Sequence, residues 1–125
     1  MKNTTKYILT VILGMISGIL GGGLGLGSAL LALPGFLILG LVPNAKTSIG
    51  TALIASPASW PAAYKYYKEG YSNLTLGVIY FISCFTFSFL GAKINLEINE
   101  TIIKYLVSGI HFLIGLFFLY KAIYD

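Results

Sequence analysis

Residues 21 to 27 read GGGLGLG, five glycines in seven positions, inside a stretch from Tyr7 to Ala45 that holds no Asp, Glu, Lys or Arg. How this run is read decides the fold. A phosphate-cradling loop of the form G-x-x-x-x-G-K-[ST] needs a lysine for the outer phosphates and a hydroxyl for magnesium, and no lysine follows these glycines before Lys46. The dinucleotide fingerprint G-x-G-x-x-G begins at no position here, because Gly23 and Gly25 are followed by Ser28 where the third glycine belongs. Nucleotide binding is thereby excluded as the meaning of the run.

Two other physical roles divide it. Gly14, Gly18 and Gly22 recur every four residues, the spacing at which small residues let helix backbones approach closely in lipid. Packing does not account for the later glycines, each of which costs about 1 kcal/mol relative to alanine in a helix interior. Gly23, Gly25 and Gly27 are therefore expected to unwind the helix, with Ser28 capping its restart. Amides freed at membrane depth must be buried in protein or line a wet cavity. The restarting helix turns free N–H groups and a positive dipole end toward that space, which makes an anion site of the type found at the broken helices of transporters.

Composition agrees with a membrane setting. The chain has 125 residues, 57% hydrophobic and 10% charged, with a mean hydropathy of +0.86, and so belongs in a bilayer. The expected fold is all-α, a polytopic transmembrane helix bundle with a glycine-broken or re-entrant helical hairpin near the N-terminus. Residues 1–125 form a single integral membrane domain with apolar segments at about 7–20, 28–42, 47–64, 74–92 and 101–120. The opening MKNTTKYILTVILGMISG imitates a secretory signal, but its apolar character runs on past any cleavage site, so it is read as the first span. Tyrosines among lysines in YKYYKEGYSN mark an aromatic belt at the headgroups.

The formal net charge of +4 comes from lysines near the ends of apolar segments, and there is no basic face for a nucleic acid. If five crossings alternate, Lys2, Lys6, Lys46, Lys93 and Lys104 share one side and Lys65, Lys68 and Lys121 the other, a weak vote for a cytoplasmic start. The single cysteine, Cys84, sits in the apolar FISCFTF and reads as a small buried side chain.

A second polar cluster follows Pro43. Thr47, Ser48, Thr51, Ser56 and Ser59 supply hydroxyls, while Gly50, Pro57 and Pro61 disturb the helix and free backbone groups for other partners. Ser48, Gly50 and Thr51 join Gly23, Gly25, Gly27 and Ser28 as candidate substrate contacts, with Lys46 at the edge. His111 is the one ionisable group deep in a span and is a candidate for a proton or polar pathway, against the plainer role of a neutral packing residue. There is no metal-ligand cluster, no nucleophile paired with a base and no soluble domain, so the sequence points away from an enzyme and calls for no cofactor and no metal.

GGGLGLGSALLALPGFLILGLVP followed by IGTALIASPASWPAAYKYYKEG resembles the TauE/SafE family of membrane transporters, associated with export of sulfite and organosulfonates. The resemblance is carried by Gly21, Gly22, Gly23, Gly25, Gly27, Pro34, Pro43, Gly50, Thr51, Tyr64 and Gly70, with Ser28 where a further glycine is common and Ala52 in place of a usual serine. It covers almost the whole chain. It implies a transporter or exporter of small anions in the plasma membrane, with the lipid bilayer and the anionic substrate as partners. Members of the family are usually about double this length and built of two related halves, so the resemblance also implies a homodimer or a pairing with a second half-transporter. If each half crosses an odd number of times, an antiparallel pair would mimic an inverted repeat. The competing reading is a non-transporting membrane assembly protein or a transporter fragment.

Overall fold

Asn3–Leu24 forms one helix, α1, of 22 residues in a computed structural model that describes residues 1–24 and 28–124, with the side chains of 22–24, 28 and 29 not described. Ser28–Ile38 forms α2, Ala45–Ala52 α3, Trp60–Lys68 α4, Leu74–Asn95 α5 and Glu100–Tyr124 α6, and two 3-10 turns, Leu53–Ala55 and Pro57–Ser59, lie between α3 and α4. The chain is all-α over the described residues. Three of its helices, Asn3–Gly21 within α1, α5 and α6, are long and apolar enough to cross a membrane. Gly23 belongs to the last turn of α1, so the unwinding expected to begin there does not; Gly25 and Gly27 lie outside the described residues.

Local chemistry sets the helix ends. The Asn44 side chain accepts the Thr47 N–H at 2.8 Å to start α3, and Asn73 accepts the Leu76 N–H at 3.1 Å to start α5. Each satisfies a donor that a helix start leaves open. α2 and α4 end alike. Gly40 at φ 67° and Gly70 at φ 80° take the left-handed conformation that glycine adopts without a Cβ penalty. The next residue then bonds back across the turn, Leu41 N–H to the Phe36 carbonyl at 3.0 Å and Tyr71 N–H to the Tyr66 carbonyl at 2.9 Å, which closes the last carbonyls of each helix.

The stretch 47–64, drawn from sequence as one apolar segment, is not one crossing. Pro57 and Pro61 have no N–H to continue a helical ladder, and Ser56 between the two 3-10 turns is extended at φ −121°, ψ 95°. α4 folds back on α3, so that Gly50 packs against Tyr66 and Tyr71. Lys46 at the start of this stretch and Lys65 near its end line one cavity with Tyr66, Glu69 and Tyr71. α3 has eight residues. At a rise of about 1.5 Å per residue it is about 12 Å long, against a hydrocarbon core of about 30 Å.

α1 and α5 form the main packed pair. Gly14 faces the Tyr80 carbonyl and Ser83, and Gly18, one turn on, faces the Cys84 carbonyl. As α1 advances from Gly14 to Gly18, the facing residues of α5 advance from Tyr80 and Ser83 to Cys84, so the two helices run in the same direction. α2 packs beside them, with Gly35 on Leu13 and the Phe36 ring 5.5 Å from the Tyr80 ring. Ala32, Phe36, Leu76 and Tyr80 are the buried centre of this unit. α6 contributes no buried residue.

This arrangement sorts the lysines. Lys2 and Lys6 lie at the start of α1, and Lys46, Lys65 and Lys68 gather beside the start of α5 at the same end of the bundle. Lys93 and Lys104 flank the turn between α5 and α6 at the far end, and a crossing α6 carries Lys121 back to the first end.

Candidate functional site

The start of α2 and the elements that hold it make up the site region. α2 begins at Ser28, and its side of the bundle is fixed by α3: the Ser48 hydroxyl, fully buried, donates to the Leu33 carbonyl at 2.8 Å. Leu33 precedes Pro34 in α2, and the Ser48 hydroxyl finds its partner across helices at this carbonyl.

Thr51 does the matching work on the other side of α3. Its buried hydroxyl oxygen accepts the Asn73 N–H at 2.9 Å, and its carbonyl oxygen faces Gly77. Ser72 donates to the Gly50 carbonyl at 3.3 Å. A Cβ at Gly50 would stand 2.8 Å from the Tyr66 Cβ and closer still to the Tyr71 carbonyl oxygen, so glycine is what lets α3 lie against the entry to α5. Ser48, Gly50 and Thr51 are thus brought together on one short helix, with their polar atoms bonded to α2 and to the α4–α5 connection.

The other sequence candidates are placed as follows. Gly14 and Gly18 lie at the α1–α5 crossing, and Gly22 and Gly23 in the last turn of α1. Ser28 is the first residue of α2, its side chain not described, and Gly25 and Gly27 are outside the described residues. Lys46 stands 5.1 Å over the Tyr71 ring, in the lysine and tyrosine cluster at the end of the bundle. His111 is exposed on α6, with Nδ1 2.8 Å from the Val107 carbonyl of its own helix. This is the i−4 contact common to polar side chains on helices. The described residues hold no group of three or more His, Cys, Asp or Glu that fits a metal ion.

One polar cluster was not singled out from the sequence. Ser17 of α1 and Tyr80, Ser83 and Cys84 of α5 are buried polar side chains on the two packed helices. Cys84 is a free, buried thiol, as its apolar setting implies. The available signal was position: Tyr80 and Cys84 are four residues apart in the middle of a span, whereas the other tyrosines of that region gather at its ends.

The family model described as "Sulfite exporter TauE/SafE" matches residues 10–124. The "Probable membrane transporter protein YdhB" of Bacillus subtilis (strain 168) is 33% identical over 116 residues, which cover 91% of this chain and 45% of that protein. The chain therefore spans about half the length of the curated relative it matches. No solved structure matches it.

Proposed function

The chain belongs to the TauE/SafE family of membrane transporters, and from that membership we propose that it is a half-unit that pairs to move small anions, such as sulfite or an organosulfonate, across the plasma membrane. The reading is supported by the family match over residues 10–124 and by the glycine run ahead of Ser28, deep in an uncharged stretch. A helix restarting after that run would offer N–H groups and a positive dipole end to an anion without placing a fixed cation in the membrane. In this reading the anion is met around Gly25, Gly27 and Ser28, with Gly23 contributing from the last turn of α1. Ser48, Gly50 and Thr51 hold α2 and α5 in register around that point.

Energy coupling follows from the charge inventory. The chain has no arginine, and among the described residues Glu69, Glu97 and Glu100 all lie outside the helix interiors. Export of an anion draws on the membrane potential, about 2.3 kcal/mol per charge per 100 mV, and needs no titrating carboxylate. A pathway through His111 is the alternative coupling.

The pairing is proposed for a chain that spans about half the length of the matched transporter. α1 and α5 run one way, and a crossing α6 would run the other and return the chain to the side where α1 starts. In this reading two such units would sit in the same orientation, related by an axis along the membrane normal, in place of the antiparallel pair that an odd number of crossings would allow. The half length also favours a second reading, an assembly partner of a larger membrane protein that transports nothing by itself. Sulfite efflux from vesicles containing the protein separates the two: passage supports the transporter, and tight vesicles holding folded pairs support the assembly role.

A further inference from the structure

The hairpin of α3 and α4 leaves a cavity of about 420 Å³ lined by Ile54, Trp60, Ala63, Tyr64, Tyr67 and Leu74. That volume lies within the range of small-molecule sites, about 300–1,000 Å³. Trp60, Tyr64, Tyr67 and Leu74 are each more than half exposed, so the cavity opens to the surroundings of the bundle. Its walls are mainly apolar and aromatic, and Trp60 is fixed by donating its ring N–H to the Ile54 carbonyl at 2.9 Å.

A lysine stands against one of the aromatic residues that line this cavity. Lys68 Nζ stands 4.9 Å over the Tyr64 ring and, among the described residues, enters no ion pair, while its neighbour Lys65 is held by Glu69 at 3.3 Å. The same end of the bundle carries Lys2, Lys6, Lys46, Lys65 and Lys68, against Lys93 and Lys104 at the far end, and a crossing α6 would add Lys121. Five lysines against two, or six with Lys121, is a stronger bias than alternating crossings gave, and the positive-inside rule makes this the cytoplasmic end, where the leaflet is anionic. A second copy in the same orientation would bring this same lysine-rich end to Lys68, whereas an anionic lipid brings the opposite charge.

We propose that this cavity holds an acyl chain of an anionic phospholipid of the cytoplasmic leaflet, whose phosphate pairs with Lys68. The aromatic walls cover the upper part of the chain, and the ammonium over Tyr64 sets the headgroup at the rim. The site tethers the α3–α4 hairpin to the membrane surface, and through Ser48 and Thr51 it bears on the positions of α2 and α5. The inference rests on the placement of the bundle in a bilayer and is independent of whether the protein transports.

Trp60 is the only tryptophan in the chain, so its fluorescence reports the cavity without a label. The full chain is placed in phosphatidylcholine vesicles doped at equal mole fraction with phosphatidylglycerol or phosphatidylcholine brominated on the acyl chain. Quenching by the brominated anionic lipid is expected to reveal roughly fivefold enrichment over the neutral one, the preference that one lysine at an anionic surface supports. Lys68→Gln should equalise the two with helix content unchanged, and Lys93→Gln at the far end should leave the preference intact. Equal quenching by both lipids in the unaltered protein, a preference that survives Lys68→Gln, or no quenching by either lipid would overturn the assignment, the last because it would show the cavity filled by protein.

Discussion

Gly18 of α1 lies over the backbone of Cys84 of α5 so closely that a Cβ on the glycine would stand 2.9 Å from the Cys84 Cα and 2.7 Å from its carbonyl oxygen. A backbone atom cannot swing aside as a side chain can, so the contact admits only hydrogen at that point. In lipid there is no hydrophobic drive to hold two helices together, and close van der Waals packing of this kind supplies the attraction. Gly18→Leu is therefore expected to force α1 away from α5 and to cost about 1–3 kcal/mol, the usual range for overpacking. Gly109→Ala on α6, where nothing among the described residues lies within 4 Å, serves as the comparison. Reversible unfolding in mixed micelles measures both, and an unchanged midpoint for Gly18→Leu would count against the tight crossing.

The Thr51 hydroxyl accepts the Asn73 N–H just where α5 begins. Thr51→Val keeps the shape and removes the acceptor, leaving a partly buried donor without its partner at a cost of about 1–3 kcal/mol. Thr51→Ser keeps the oxygen and should recover most of that loss. The same unfolding titration reads the pair of variants, and equal losses in both would assign the effect to packing of the methyl group instead.

Orientation can be read from the outside of cells. In a Cys84→Ser background, Glu69→Cys lies at the lysine-rich end and Glu97→Cys at the other. A membrane-impermeant thiol reagent added to intact cells is expected to label position 97 and to reach position 69 only after the membrane is opened. Labelling of position 69 in intact cells would reverse the assignment.

The membrane setting and the helical class were legible because both follow from composition, and the reading of α1, α5 and α6 as spans required only their length and lack of charge. The fold-back of α3 on α4 was harder to see. Pro57 and Pro61 were visible as disturbances, but hydropathy does not tell a kinked crossing from a reversal; that is decided by Gly50, whose missing side chain lets α3 meet Tyr66 and Tyr71. The direction of α5 relative to α1 depends on that reversal, which is why the lysines divided five against three on paper and divide six against two when α6 crosses beside them. Ser48 and Thr51 were recognisable as polar residues in an apolar context, whereas their partners, Leu33 and Asn73, lie 15 and 22 residues away along the chain.

His111 distinguishes the two couplings. Its ring is exposed on α6 and bonds to its own helix at Val107. On the potential-driven account, His111→Gln leaves sulfite efflux and its pH profile as they were between about pH 5 and 8, the interval in which a histidine changes charge. A profile flattened by the substitution would show that the imidazole carries the coupled proton.

The central claim, that paired half-units pass small anions, is tested most directly by sulfite efflux from vesicles containing the purified protein under an imposed potassium diffusion potential. The account predicts that sulfite leaves, that efflux rises as the interior is made more negative, and that net negative charge moves outward with it. Vesicles that stay tight to sulfite at every potential, while crosslinking shows the chains folded and paired within them, would contradict it.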